Sequence, residues 1–503
     1  MQPISASDIQ TRLERDNPWW SEPKPEISEA NFPRRVYFQS LRDLALDFSV
    51  RRATVLLGAR RVGKTFMIKQ LVAEAISSNI NPRAILYVSI DTPIYSGFSL
   101  EQFLDLMPKD PNIDRRLVIF DEIQYLRNWE VHLKDIVDTY NNIKFIATGS
   151  AAAALKLKSH ESGAGRFSDF MLPPLTFYEF LTFINEDETL IEVAKTESET
   201  ETENDQAQPK RRYPKRHYMA KNIDALNHRF VDYLNFGGYP EVVLNEAISK
   251  NPEQFIRNDI IDKVLLKDLP SLYGIQEIPE LNRLFSFLAY NAGNEASLEN
   301  ITQESGITKP TIRRYIEYLE SAFLIIKVSN VDDNCKTMKR ERNFKIYLNN
   351  PSMRAALFTP VVFEDSDRIG HLTESAIFSQ WQHSPSFRNL RYARWRNEGE
   401  VDIIYLSGPR QMPTWIGEIS WSDRVAKNQF DETKAVRTLL KNHPTIESAF
   451  FTTKTIQKYV TIDGRRLSII PSALYCYTVG RNITTQLTTP LGIEPEDKGK
   501  HAA

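Results

Sequence analysis

The sequence predicts an α/β protein built on a parallel sheet, with helical and further α/β modules behind it. Five short apolar runs alternate with helical patterns, at 53–57, 84–90, 117–120, 144–148 and 169–172. This alternation is typical of βαβ units, whose strands lie parallel. The first run is followed by apolar residues at helical spacing, namely Ile68, Leu71, Val72, Ala75 and Ile76. We therefore expect a five-stranded sheet covered by crossover helices.

The composition narrows the class of protein but not its partners. A chain of 503 residues predicts two to four domains, and 41% hydrophobic with 25% charged residues is typical of soluble globular proteins. We find no apolar run of the roughly 18 residues that would span a membrane, and no secretory signal in residues 1–20. We expect a cytoplasmic protein. Cys335 and Cys476 are too few for a disulfide framework. The net charge of −2 neither favours nor excludes nucleic acid.

Two segments depart from regular patterning. Residues 1–35 are rich in proline, so we predict an irregular N-terminal arm, in which Trp19 and Trp20 anchor the arm on the next domain or, alternatively, bind a partner. Residues 186–205 hold nine acidic residues and 210–216 are basic. We predict a disordered insert at 184–218, because so few apolar groups cannot offset ordering entropy. The basic stretch at 210–216 either balances the acidic charge of 186–205 or contacts the phosphate backbone of a nucleic acid.

A phosphate-binding loop follows the first predicted strand. Gly58 to Thr65 matches G-x-x-x-x-G-K-[ST] and precedes a predicted helix, which is the context this motif requires. We expect the two glycines to turn backbone amides inward, Lys64 to bind the β- and γ-phosphates, and Thr65 to bind magnesium. The predicted nucleotide contacts are Gly58, Ala59, Arg60, Arg61, Val62, Gly63, Lys64, Thr65 and Phe66.

Two carboxylates follow the apolar strand 117–120. Asp121 and Glu122 come directly after it, at the sheet edge where the phosphate-binding loop also lies. We expect Asp121 to bind Mg²⁺, directly or through water, and Glu122 to orient and deprotonate the attacking water. The sequence therefore predicts hydrolysis and not passive binding.

Two further candidates lie downstream. Ser150, in Thr148-Gly149-Ser150, is favoured over Thr148 as a sensor of the γ-phosphate, although helix capping explains Ser150 almost as well. Arg166 is a candidate for stabilising charge on the transferring phosphoryl group, in cis or across a subunit boundary, and the alternative is an ion pair with an acid.

Taken in order, these motifs resemble prokaryotic AAA+-type ATPases of the archaeal-ATPase-like branch, over about residues 15–480. The resemblance rests on Asn17-Pro18-Trp19-Trp20, the phosphate-binding loop, Asp121-Glu122, TGSAA at 148–152, GRFSDFMLPPLTFYEF at 165–180 and Gly237-Gly238-Tyr239-Pro240. It implies ATP, since no NKxD motif for guanine is present. It also implies a winged helix and a restriction-endonuclease-like domain. The expected domains are an ATPase core at 36–183, a helical lid at 219–275, a winged helix at 276–335, an endonuclease-like domain at 336–482 and a tail at 483–503.

The periodicity of residues 281–328 also fits a winged helix. The expected recognition helix spans 309–322, and the side chains we expect to contact nucleic acid are Lys309, Thr311, Arg313 and Arg314. Such domains serve equally as protein-packing modules, and both interpretations remain open.

The last module resembles the PD-(D/E)xK nuclease core, with a second metal site expected at Glu374, Asp402 and Glu418. Ser420 stands where that pattern has a lysine, and Lys427 is a possible substitute. We favour loss of nuclease activity with the fold retained.

Together these observations predict a Mg²⁺-dependent ATPase whose nucleotide state is coupled to a DNA- or partner-binding half. The alternatives are an ATP-regulated nuclease in defence or mobile-element control, and a nucleotide-switched scaffold that never touches DNA. An arginine supplied in trans requires a homo-oligomer.

Overall fold

The computed structural model describes residues 6–22, 25–149, 165–194, 216–332, 334–336, 342–395, 399–427, 434–462 and 464–488. The chain divides into two compact units. The P-loop unit comprises residues 1–174, 263–276 and 321–323, and the C-terminal unit comprises residues 175–262, 277–320 and 324–503. Among the described residues, no helix is both long and apolar enough to cross a membrane.

The P-loop unit is built on the predicted five-stranded sheet. Its strands are β1 (Ala53–Leu57), β2 (Ile85–Ser89), β3 (Arg116–Asp121), β4 (Ile143–Gly149) and β5 (Phe167–Met171). They pair in the order β2-β3-β4-β1-β5, and every pair is parallel. All of β1 is buried, as expected of a central strand covered on both faces. The predicted sheet is confirmed.

Helices cover this sheet and link its strands. Their bounds are Ala6–Asp16, Phe38–Ala45, Lys64–Ser77, Leu100–Asp105, Trp129–Thr139 and Leu269–Tyr273, the last preceded by a wide helical turn at Val264–Asp268. In the helix Lys64–Ser77 the predicted apolar stripe is buried at Ile68, Leu71, Val72 and Ala75. The loop motif therefore lies between a strand and a helix, as the sequence predicts.

The N-terminal arm is more regular than predicted. Residues Ala6–Asp16 form a helix, because Ile9 and Leu13, one helical turn apart, both pack into the core of the P-loop unit. The predicted anchoring by the two tryptophans is confirmed. Trp19 is buried, and the indole N–H groups of Trp19 and Trp20 both donate to the carbonyl oxygen of Ile85, at 2.9 and 2.7 Å.

Within its described residues, the C-terminal unit contains three sheets. A two-stranded sheet pairs β6 (Ile191–Val193) with β7 (Tyr218–Ala220). An antiparallel three-stranded sheet has the order β8-β10-β9, with β8 at Glu295–Ser297, β9 at Ile325–Ser329 and β10 at Asn343–Leu348. A mixed six-stranded sheet has the order β11-β12-β13-β14-β16-β15, with bounds Leu390–Trp395, Gly399–Ser407, Met412–Glu418, Ser448–Thr453, Lys458–Ile462 and Arg465–Pro471 for β11 to β16.

Helices surround these sheets. From residue 175 to 262 they are Phe177–Phe183, Asp187–Leu190, Ile223–Phe236, Pro240–Leu244, Glu246–Ser249, Pro252–Phe255 and a wide helical turn at Ile256–Asp262. Further on they are Ile278–Tyr290, Leu298–Ser305, Lys309–Ser321, Ser352–Leu357, Ser366–Trp381, Arg424–Lys427, Lys434–Asn442 and Ser472–Thr488. A large apolar core joins the helices Phe177–Phe183, Ile223–Phe236 and Ser366–Trp381 to the six-stranded sheet.

Three predicted boundaries differ from the structure. Residues 187–193 of the predicted disordered insert form a helix and the strand β6, because Leu190 and Ile191 are buried in the core. Residues 195–215 of that insert lie outside the described residues. The predicted tail begins inside the helix Ser472–Thr488, whose Ile483 and Thr484 are buried. The helix Phe177–Phe183 belongs to the C-terminal unit and not to the ATPase core.

Candidate nucleotide-binding site

The backbone of the phosphate-binding loop is shaped by a close contact and by left-handed residues. A Cβ atom at Gly58 would lie 2.3 Å from the carbonyl oxygen of Leu172, so only glycine fits there. Gly58 is thus required by contact and not by the torsion that we predicted. Gly63 has the predicted positive φ, at 97°, and Arg61 has a φ of 63°. Alternation of right- and left-handed residues turns successive amides to one side, which forms an anion-binding nest.

Lys64 is buried in this loop and faces its carbonyl oxygens. Its ammonium donates to the carbonyl oxygens of Gly58 and Ala59, at 3.0 and 2.8 Å. Burial lowers the pKa of Lys64, although the charges of Glu122 and Asp121 oppose that shift. The side chain is therefore a partly desolvated cation, which an anion entering the loop would stabilise.

Asp121 lies at the centre of a network of hydroxyl groups. The Thr65 and Tyr87 hydroxyls each donate to Asp121 Oδ2 at 2.8 Å, and the Thr148 hydroxyl donates to Oδ1. Burial, and then the charge of Glu122, raises the pKa of Asp121, while the three hydroxyl donors lower it. The network orients the carboxylate towards Thr65, the first-turn residue that we predicted as a metal ligand.

Glu122 follows Asp121 in a left-handed conformation, with a φ of 52°. Its N–H donates to the Thr148 hydroxyl at 3.1 Å, and the Gln124 side-chain amide donates to its carboxylate. Thr148 thus connects the Asp121 carboxylate to the Glu122 backbone, whereas Ser150, the residue we favoured, lies outside the described residues. A non-glycine residue held in this region is strained, and such strain is found at functional sites.

Sequence reasoning missed several residues that hold the loop. The Arg60 guanidinium forms a two-pronged ion pair with Asp268, at 2.5 and 2.7 Å, and also donates to the Tyr125 hydroxyl at 3.2 Å. The Arg35 guanidinium donates to the carbonyl oxygens of Val62 and Pro173, at 2.7 and 3.0 Å. No motif connects these residues, since Asp268 lies 208 positions from Arg60. Phe66, a predicted contact, is exposed and packs edge-on against Phe32.

Arg166 lies at the opposite end of the sheet from the loop. Its carbonyl oxygen accepts from the N–H of Ala53, the first residue of β1, and its guanidinium pairs with Asp138. The loop begins after the last residue of β1, about 13 Å away at the rise of a strand. The predicted role in cis is therefore wrong, and the ion-pair alternative is what the structure shows. A role across a subunit boundary stays a prediction.

The second predicted metal site is not assembled as such. Among the described residues, no group of three or more histidine, cysteine, aspartate or glutamate side chains is arranged to hold a metal ion. Glu374 and Asp402 instead lie around the ammonium of Lys345, which is 3.4 Å from a carboxylate oxygen of each. One Glu418 carboxylate oxygen is buried without a hydrogen-bond partner. The metal site predicted at Glu374, Asp402 and Glu418 is thus contradicted.

The predicted nucleic-acid contacts lie on the helix Lys309–Ser321. Lys309, Arg313 and Arg314 are exposed, and the Lys309 ammonium pairs with Glu299 at 2.5 Å. The Thr311 hydroxyl lies 3.0 Å from that of Thr308. The opposite face of this helix, including Ile312 and Leu319, is buried.

Comparison with protein families separates the two halves of the chain. Residues 50–181 match the AAA domain, and residues 227–362 match a domain of unknown function (DUF8612). The first match covers the whole sheet, the phosphate-binding loop and Asp121-Glu122. It supports the class of P-loop, nucleotide-binding ATPases for this part of the chain.

Similar proteins extend over more of the chain. An uncharacterized protein of Methanocaldococcus jannaschii is 23% identical over 440 residues, which cover 86% of this chain and 89% of the relative. An uncharacterized protein of Haemophilus influenzae is 26% identical over 320 residues, which cover 61% of this chain and 68% of the relative.

Two solved structures are also similar. Cdc6p from Pyrobaculum aerophilum has a TM-score of 0.26 at 13% identity, covering 66% of this chain and 96% of its own. PCH-2 of C. elegans has a TM-score of 0.20 at 15% identity, covering 63% of this chain and 69% of its own. At these TM-scores neither likeness supports an argument about this molecule.

Proposed function

We propose that the protein binds ATP at the loop Gly58 to Thr65 and hydrolyses it with the help of Mg²⁺. The observation that carries this proposal is the Asp121 network, in which one buried carboxylate is held against the hydroxyl of the first-turn Thr65 at 2.8 Å. A buried acid next to a phosphate-binding loop has an obvious use in holding a phosphate-bound cation.

The residues present fit a magnesium ion. The Thr65 hydroxyl and an Asp121 carboxylate oxygen are hard oxygen ligands that already lie in contact, and Mg²⁺ in nucleotide sites takes few protein ligands besides phosphate and water. When bound, the ion neutralises charge on the β- and γ-phosphates. Tyr87 donates to the Asp121 oxygen that Thr65 also contacts, Thr148 donates to the other oxygen, and together they hold the carboxylate in orientation.

The remaining chemistry belongs to this chain's own side chains. Lys64 exchanges its contacts with the loop carbonyls for phosphate oxygens, which stabilises its ammonium. Glu122 accepts the proton of the attacking water. The hydrogen bond from its backbone N–H to the Thr148 hydroxyl fixes the position from which the Glu122 side chain extends. Hydrolysis in this scheme needs Glu122, while binding needs Lys64.

Phosphate release by two variants tests the proposal. Glu122→Gln should bind ATP but lose about 10²- to 10³-fold in kcat, because a neutral amide cannot accept the water proton. Lys64→Ala should lose binding as well. The exposed residues Glu101 and Lys134 supply matched controls, Glu101→Gln and Lys134→Ala, which should retain activity. Phosphate release that survives both test variants would sink the ATPase assignment.

We also propose that the C-terminal unit binds DNA through the exposed side of the helix Lys309–Ser321. Three helices and the three-stranded sheet, at Ile278–Tyr290, Leu298–Ser305, Lys309–Ser321 and β8 to β10, occur in the order of a winged helix. Arg313 and Arg314 are exposed on the last of these helices. The rival is a protein partner bound at the same helix, in a nucleotide-switched scaffold.

Salt-dependent binding separates DNA from a protein partner. The double variant Arg313→Ala with Arg314→Ala should lower the slope of log K against log salt by about two, since each phosphate contact contributes roughly one. Arg257→Ala, an exposed arginine elsewhere in this unit, is the control. A wild-type protein without salt-dependent DNA binding, at any nucleotide state, would favour the scaffold.

A further inference from the structure

A buried lysine of the three-stranded sheet lies among the acids of the C-terminal unit. Lys345 belongs to β10 and has 3% of its surface exposed. Its ammonium lies 3.4 Å from Glu374 Oε2, 3.4 Å from Asp402 Oδ1, and closer still to Glu400. One lysine therefore touches carboxylates from the helix Ser366–Trp381 and from β12. Sequence separations of 29 and 57 positions to Glu374 and Asp402 hide this arrangement from any motif search.

One carboxylate oxygen of Glu374 and both oxygens of Asp402 already accept hydrogen bonds. Besides Lys345, the Tyr347 hydroxyl donates to Glu374 Oε2 at 2.9 Å, and the Ile419 N–H donates to Asp402 Oδ2 at 2.9 Å. A divalent cation would require these oxygens at about 2.0 to 2.6 Å from its own centre. The Lys345 ammonium and such an ion would compete for the same oxygens of Glu374 and Asp402.

Ser420, where the nuclease pattern has a lysine, takes no part in the cluster through its backbone. Its N–H donates to the Thr452 hydroxyl at 2.7 Å, and its carbonyl oxygen accepts from the hydroxyls of Thr452 and Ser472. These bonds tie the end of β13 to the neighbouring segments. The cation of the cluster thus comes from a different sheet.

We propose that Lys345 is an internal substitute for a divalent cation, so that this carboxylate cluster holds the two sheets together and binds no metal. The ammonium joins β10 to the helix Ser366–Trp381 and to β12, which is the bridging that a metal ion would otherwise perform. The acid site then contributes to architecture, and the C-terminal unit is a binding module without Mg²⁺-dependent cleavage. This inference is independent of ATP hydrolysis in the P-loop unit.

Charge accounting agrees with this assignment. Three carboxyl groups, at Glu374, Glu400 and Asp402, contact one ammonium, and the Glu418 carboxyl interacts electrostatically with all of them. Burial, and then the charge of Asp402, raises the pKa of Glu374 to about 7, and the same two causes raise the pKa of Glu418. Protons retained on these acids therefore neutralise negative charge that the single lysine leaves unbalanced.

Metal binding by Lys345→Ala against the wild-type protein tests the proposal. Without nucleotide, Mn²⁺ should leave the unfolding temperature of the C-terminal unit unchanged in the wild type and raise it in Lys345→Ala, where the carboxylates have lost their cation. Removing a positive charge about 4 Å from the ion should tighten Mn²⁺ binding roughly a hundredfold or more. Lys327→Ala, on the neighbouring strand β9, is the matched control and should behave as wild type.

A second measurement needs no folded variant of Lys345. Terbium luminescence, sensitised by Tyr347, reports an ion in the cluster of the wild-type protein. A wild-type signal that Asp402→Asn abolishes, or Mn²⁺-dependent DNA cleavage lost in the same variant, would overturn the proposal. So would a Lys345→Ala protein that folds with wild-type stability and gains no Mn²⁺ response. Absence of a wild-type signal at the cluster supports it.

Discussion

Lys64 in the P-loop unit and Lys345 in the C-terminal unit are almost equally buried, with 5% and 3% of their surface exposed. Burial lowers the pKa of Lys64, whose ammonium faces neutral carbonyl oxygens. Burial acts the same way on Lys345, but the carboxylates of Glu374, Asp402 and Glu400 outweigh it and raise the pKa. The comparison teaches that depth alone does not make a lysine functional. A buried lysine whose ammonium donates to neutral carbonyl oxygens can accept a phosphate, whereas one in contact with several carboxylates holds structure.

The largest expected effect is on stability at Lys345. Lys345→Met should lower the free energy of unfolding of the C-terminal unit by about 3 to 5 kcal/mol, because buried carboxylates lose their counter-ion. Urea unfolding followed by tryptophan fluorescence measures this, since Trp421 is buried in the core of that unit. Lys327→Met is the control, and a loss under about 1 kcal/mol would contradict the comparison.

The same substitution at Lys64 should act on activity. Lys64→Met removes a desolvated ammonium, so the nucleotide-free stability of the P-loop unit should stay within about 1 kcal/mol of wild type or rise. The rate of ATP hydrolysis should fall by about 10²- to 10³-fold. Unfolding and phosphate-release assays on one preparation measure both. A stability loss as large as that of Lys345→Met would show that Lys64 also has a structural role, which contradicts the comparison.

Two tyrosines extend the comparison to the carboxylates. Tyr87 donates to Asp121 and Tyr347 donates to Glu374, at 2.8 and 2.9 Å. Tyr87→Phe and Tyr347→Phe should each cost about 1.5 to 3 kcal/mol, the usual value for a hydrogen bond to a charged group. Only Tyr87→Phe should also reduce ATP hydrolysis. Equal losses of hydrolysis in both variants would mean that the C-terminal acids act on the nucleotide site.

The most gradual expected effect is a change of stability with pH. The pKa of Glu374 rises from 4.5 to about 7 through burial and the charge of Asp402, so the folded state retains a proton that the unfolded state loses. This contribution to stability is full below pH 4.5 and is lost as the pH rises to about 7, at no more than about 1.4 kcal/mol per pH unit. Glu374→Gln should flatten the slope in unfolding free energy measured from pH 4.5 to 7.5. An unchanged slope would show that other titratable groups cause the pH dependence of stability.

The features that could be predicted are those whose residues are neighbours in the sequence. The loop Gly58 to Thr65 and the pair Asp121-Glu122 are local in sequence, and the five strands show as apolar runs, so fold and loop were both predictable. The helix Ala6–Asp16 was missed because its two core residues, Ile9 and Leu13, stand among polar neighbours. Local pattern cannot reveal which sparse apolar positions find a core.

Contacts between distant segments were beyond a single sequence. Asp268, Arg35 and Tyr87 support the nucleotide site from three unrelated segments, and none stands in a motif. Lys345 illustrates the same difficulty more sharply. A lysine was expected near position 420 because spacing suggested it, but the cation arrives through the pairing of β10 with β8 and β9. Only tertiary structure brings such groups together.

The ion pair of Arg60 with Asp268 has a consequence for how the protein is made. The two residues are 208 positions apart, and residues 175–262 within that interval fold into the other unit. At the usual 5 to 20 residues per second of synthesis, about 10 to 40 seconds pass between the emergence of the loop and that of its partner. A nascent chain therefore carries the complete phosphate-binding loop before it carries Asp268, the partner of Arg60 in the ion pair. During translation the loop therefore exists for a time without the ion pair that holds Arg60 in the finished protein.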